Sequence, residues 1–90
     1  MAAPSQLSDE SIRLLRIIVD RTTVSGSNLM RIAGLKLPGE LIKPLRELQV
    51  QDLIEVSGDA SNESTVPFAY FGTRPSAKEY LYSVLKKYSA

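Results

Sequence analysis

Between Leu35 and Val56 the chain reads LKLPGELIKPLRELQVQDLIEV, a helical pattern that passes within a few residues into a strand-like one. Leu41, Leu45 and Leu48 recur at i, i+4 and i+7 on one face of a 3.6-residue period, and Leu53, Ile54 and Val56 then change the pattern to that of a strand. A helix joined by a tight turn to a strand restricts the fold to architectures in which both elements pack on one core. Pro44 lies within the helical stretch, where it offers no N–H to the Glu40 carbonyl and its ring crowds the preceding turn. Either the helix starts late, near Glu40, with Pro44 in its first turn, or it kinks there.

Ninety residues suffice for one compact domain with a small core, to whose stability a dimer or partner surface can contribute. The absence of Cys and His excludes disulfides, thiolate and imidazole metal ligands, and the nucleophile and base pairs built on those groups. The carboxylates show no catalytic spacing, so neither an enzyme nor a cofactor is expected. The N-terminal MAAPSQ lacks a basic region followed by an apolar run, and nothing approaches the ~20 apolar residues of a membrane span. These features predict a soluble, cytoplasmic protein with no membrane partner.

Ser8 is the expected N-cap of a first helix, with Asp9 and Glu10 in its first turn and Leu7 placed to pack on Ile12. This helix runs to about Asp20 or Arg21, and its wide apolar stripe (Ile12, Leu14, Leu15, Ile17, Ile18, Val19) makes it the central core helix. Thr22 to Gly26 reads as a polar connection. Ser25 or Ser27 then caps a short second helix with Leu29, Met30, Ile32 and Ala33, and Gly34 suits the left-handed position that ends it. The third helix falls within Leu37 to Gln51. LIEVS then reads as a strand, GDASNEST as a polar loop and VPFAYFGT as a second strand, an antiparallel hairpin with a long tip. Pro75 and Ser76 open a last helix in which Ala77, Tyr80, Leu81, Val84, Leu85 and Tyr88 form one stripe.

Charge is unevenly placed. Residues 27–51 carry Arg31, Lys36, Lys43 and Arg46 against Glu40 and Glu47, whereas 52–66 carry Asp52, Glu55, Asp59 and Glu63 with no Lys or Arg. A hairpin tip of that sign is repelled by phosphate, which predicts a solvated loop that points away from any such ligand.

Two segments resemble the winged helix-turn-helix family, and within it the MarR and PadR type of bacterial transcriptional regulator. LRELQVQDLIEV (Leu45 to Val56) is similar to the family's end of recognition helix, turn and first wing strand. FGTRPSAKEYL (Phe71 to Leu81) is similar to its second wing strand and closing helix. Asp52 stands where the family commonly has Gly, and Thr73, Arg74 and Ala77 stand where it often has a Leu-Thr pair followed by Gly. The resemblance implies an α+β winged helix in one domain, residues 1–90, with 1–7 flexible: a three-helix core, a two-stranded wing and a C-terminal helix.

It further implies double-stranded DNA as partner, with the third helix in the major groove and the chain acting as a homodimer. With Leu41, Leu45 and Leu48 inward, the outward positions are Gly39, Glu40, Ile42, Lys43, Arg46 and Glu47. Lys43 and Arg46 are then the candidates for base or phosphate contact. Ser27 and Asn28 are candidates to hold a phosphate at the start of the second helix, and Arg31, Lys36 and Arg74 are supporting phosphate contacts. Tyr80, Leu81, Val84, Leu85 and Tyr88 are the candidate dimer interface, and Tyr82 lies off that stripe. The acidic wing, Pro44 and an outward Ile42 motivate a second expectation, a winged helix used as a protein-interaction or assembly module that does not bind DNA.

Overall fold

The structure, a computed structural model, describes residues 7–89, with side chains up to Ser83. The segment expected to be flexible lies outside the described residues except for Leu7, which packs against the core. Helix α1 spans Asp9–Arg21. Ser8 caps it as expected, its hydroxyl oxygen accepting from the Ser11 N–H at 3.2 Å. Leu14, Leu15 and Ile18 are buried, and Ile12, Ile17 and Val19 pack around them, so α1 is the central helix. The helix stops at Thr22, which has φ 68° and ψ −47°, a conformation that a β-branched side chain disfavours. Contacts on both sides hold it there: its N–H donates to the Val19 carbonyl at 3.3 Å, and its carbonyl accepts from the Thr73 N–H at 3.0 Å.

The expected polar connection contains a strand, β1 (Thr23–Ser25). It pairs antiparallel with β3 (Tyr70–Thr73), which also pairs antiparallel with β2 (Ile54–Ser57). The sheet therefore has three strands in the order β1-β3-β2, where the sequence predicted a two-stranded hairpin. Val24 and Val56 both lie opposite Phe71, and this row forms the sheet's inner face. The second expected strand is also shorter. Val66–Phe68 is a 3-10 turn, because Pro67 has no N–H for a ladder, and the strand begins only at Tyr70.

Helix α2 (Gly26–Ala33) is capped by Ser25, so Ser27 and Asn28 lie within its first turn. Gly34 ends it at φ 75°, the left-handed position that glycine adopts freely. Helix α3 spans Gly39–Val50, with Leu41, Leu45 and Leu48 fully buried as their spacing requires. Pro44 sits buried in its second turn, one turn deeper than the late-start alternative allows. After α3, Asp52 takes φ 58° and turns the chain into β2, doing the work that glycine does more readily. Helix α4 (Pro75–Ser89) begins with the Ser76 hydroxyl donating to the Asp52 carbonyl at 3.0 Å. It sets Ala77 and Leu81 into the core against α1.

Candidate nucleic-acid interface

The exposed side of α3 differs from the side that its spacing predicts, because Glu47 and Ile42 turn inward. Pro38 supplies no side-chain cap. Glu40, exposed in the first turn, ties the preceding loop to the helix start instead, Oε1 accepting from the Lys36 and Leu37 N–H groups, each at 3.1 Å. Glu47, expected to face outward, turns to α1 instead. Its Oε1 accepts from the Ser11 hydroxyl at 2.6 Å and from the Ser8 N–H at 3.0 Å. Ser11 is fully buried, and its single hydroxyl proton has the Pro44 carbonyl at 3.2 Å as a longer alternative acceptor. Ile42, also expected outward, is half-buried and packs against the core. Lys43 and Arg46 remain exposed.

The Ser11 hydroxyl, the Ser8 N–H and, more weakly, the Lys43 charge hold the Glu47 carboxyl below its ordinary value of 4.5. A lowered folded-state pKa stabilises the fold above the unfolded value, and that stabilisation is lost as pH falls through the folded one. Glu47→Ala should therefore lower stability at pH 7 by about 1–2 kcal/mol. The gap from wild type should narrow on acidification, as urea denaturation at pH 7 and pH 3 will show. A gap that stays constant, or one that widens in acid, contradicts this role.

The remaining candidate residues lie around α3. Ser27, Asn28 and Arg31 are exposed on α2, where Asn28 Oδ1 accepts from Arg31 Nη2 at 2.9 Å, and Lys36 is exposed between α2 and α3. Arg74 is partly exposed at the base of the hairpin, where its Nε lies 3.4 Å from the Ile54 carbonyl and 3.5 Å from Asp52 Oδ1. Those contacts tie it to the turn after α3. Leu81, expected in a dimer interface, is covered by its own chain, and Tyr80 is half-buried against the same core. The side chains of Val84, Leu85 and Tyr88 lie outside the described residues.

The loop after β2 does not point away. It runs back beside α3, so that Val56, Gly58, Asp59, Ala60 and Ser61 face Ile42, Arg46 and Gln49 across a shallow groove. Glu63 Oε2 lies 3.7 Å from the position that a Cβ on Gly39 would take, beside the start of α3. Ala60 is buried. Asp59 and Glu63 therefore border the α3 surface, a placement that their sequence positions alone did not reveal. The spacing Asp59-x-Ser61 and Asn62-x-Ser64 held a hint, since such pairs close Asx turns that give a loop its own structure.

Helices α2 and α3 meeting at a glycine-ended turn, followed by a strand pair and a closing helix, recur in solved structures. The adhesin competence repressor AdcR from Streptococcus pyogenes superimposes with a TM-score of 0.69 at 14% identity, over 97% of this chain and 60% of its own. A probable transcriptional regulator from Pseudomonas aeruginosa gives 0.70 at 15% identity, over 89% of this chain and 57% of that one. The fold is a winged helix. The zinc-responsive MarR family member ZitR of Lactococcus lactis shares this winged helix with a TM-score of 0.67 at 17% identity, over 93% of this chain and 55% of its own. The chain thus spans less than two thirds of the length of each of these proteins. Its sequence matches no family model and no curated protein sequence. In the winged helix, α3 is the third helix of the helical core, and β2, β3 and the loop between them form the wing. Among the described residues no helix is long and apolar enough to cross a membrane, and no group of three His, Cys, Asp or Glu could hold a metal ion.

Proposed function

We propose that this winged helix binds duplex DNA as a transcriptional regulator, with α3 in the major groove. One observation carries the proposal: Glu47 turns to Ser8 and Ser11 of α1, so that Lys43 and Arg46 stand exposed on α3 with Glu40, at the helix start, as the one exposed carboxylate of that helix. Both can donate to guanine O6 and N7 or to phosphate oxygens. Ser27, Asn28, Arg31 and Lys36 are exposed on and after α2, where they suit the flanking backbone. Arg74 is a weaker phosphate contact, because the Asp52 carboxylate competes for it. Transcriptional regulators among the structures of the same fold support the assignment, although a fold hosts more than one function. A homodimer on a two-fold symmetric site is part of the proposal, formed through α4 residues beyond the self-covered Leu81: Val84, Leu85 and Tyr88, with Tyr80 at the margin.

Fluorescence anisotropy with a labelled duplex at low and moderate salt tests this directly. Changing both Lys43 and Arg46 to Ala should weaken binding at least about tenfold and reduce the salt slope by about two, the number of cations removed. Absent or salt-insensitive binding by the wild type overturns the proposal.

A protein-interaction module is the second reading, favoured by Leu37 and Val50. Leu37, just before α3, is 63% exposed and Val50, its last residue, 73%, and the apolar side chains sit poorly against phosphate. It requires that duplex DNA show no salt-sensitive binding in the same titration.

A further inference from the structure

We infer that the loop Gly58–Thr65 sets DNA selectivity, its Asp59 and Glu63 carboxylates weakening the hold of α3 on sequence-neutral duplex; this rests on the proposed DNA binding. The loop lies against the α3 surface. Asp59 and Ser61 share a groove with Ile42, Arg46 and Gln49, and Glu63 stands beside Gly39 at the helix start. The positive end of the helix dipole favours a carboxylate there. In a helix-turn-helix this is also the end that approaches base edges.

The loop backbone is fixed in that position, and the Asp59 carboxylate with it. Asp59 Oδ1 accepts from the Ser61 N–H at 2.9 Å and from the Ser61 hydroxyl at 2.6 Å. Asn62 Oδ1 accepts from the Ser64 N–H at 2.8 Å, and the Thr65 hydroxyl donates to the Asp59 carbonyl at 2.9 Å. Ala60 and Val66, on either side of Glu63, are buried. With no Lys or Arg between Asp52 and Val66, nothing in the segment offsets the two charges. A phosphate drawn toward Lys43 and Arg46 meets this acidic border. Backbone contact alone then holds DNA weakly, and base contacts must supply the difference.

The test compares wild type, D59N/E63Q and E79Q by anisotropy on a labelled duplex of random sequence at low and moderate salt. Asn retains an oxygen to accept both Ser61 bonds, and Glu63 takes part in none of the loop's hydrogen bonds, so the variant is expected to fold, with a melting temperature only slightly below that of wild type. E63Q alone leaves the loop bonds untouched and should show part of the effect. Glu79, exposed on α4, controls for the single unit of net charge that E63Q removes. D59N/E63Q should bind about tenfold tighter than wild type at low salt, with the gap shrinking at moderate salt, while E79Q changes affinity less than about twofold. Unchanged or weaker binding by D59N/E63Q and E63Q overturns the inference and leaves DNA binding standing, as does an equal gain in E79Q. Absence of salt-sensitive binding in all of the proteins overturns both.

Discussion

Gly26→Ala should destabilise the fold by about 3 kcal/mol, at the upper end of what overpacking usually costs. Gly26 opens α2, and its N–H donates to the Ala69 carbonyl at 2.8 Å, which brings two distant backbone segments together. A Cβ there would stand 1.9 Å from the Val66 carbonyl oxygen, 2.9 Å from its carbon and 3.0 Å from Pro67 Cα. All three are backbone atoms, so no side-chain rotation relieves the clash. Val66 is itself fully buried, and Pro67 stiffens the turn that carries it. The start of α2 and the 3-10 turn must therefore separate, and that pulls on the β1–β3 pairing immediately before Gly26. In a domain this size each kcal/mol moves the melting temperature by about 4–8 °C, so a fall of about 12–24 °C is expected in a thermal melt followed by circular dichroism. A fall of less than about 5 °C would mean that the turn moves aside freely.

The same glycine marks the limit of what the sequence discloses. Gly26 reads as part of a polar connection, because its reason for being glycine is a contact with Val66, forty positions along the chain. Features whose cause lies within a few residues were legible: the Leu41, Leu45 and Leu48 stripe, the Ser8 cap, the Gly34 stop and the Asp52 turn. Strand β1 was not, since three residues with one buried side chain are too short for an alternation to register. Pro67 and its β-branched and aromatic neighbours looked like strand by composition, but the missing N–H decided otherwise.

The candidate interface divides along the same line. The residue types on α3 were visible, yet Glu47 left the outward face because its partners, Ser8 and Ser11, stand on another helix. The acidity of the loop was visible too, whereas its direction was set by the burial of Ala60 and Val66. What changed for function is therefore the electrostatics of a surface whose location was already expected. Of the carboxylates on the helix, Glu47 withdraws and Glu40 stays, while those on the loop arrive beside it.

Phe71→Ala should remove about 4 kcal/mol of stability, within the range for truncating a buried aromatic. Phe71 is fully buried in β3, the central strand, opposite Val24 on one side and Val56 on the other. Its ring is among the largest fully buried side chains, so truncation opens a cavity where the sheet meets the helical layer. Rigid neighbours limit collapse into it: β1 is anchored at Thr22 and Gly26, and β2 follows directly from the Asp52 turn. Small domains sit toward the lower end of the usual 5–15 kcal/mol, so this one change is expected to remove most of the stability. Urea denaturation at neutral pH should show a much earlier midpoint, or a chain already largely unfolded without denaturant. Phe71→Leu, which keeps most of the apolar volume, should recover well over half of the loss. If Phe71→Ala costs less than about 1 kcal/mol, β3 is not the strand on which this core closes, and neither the sheet order nor the seating of the loop beside α3 survives.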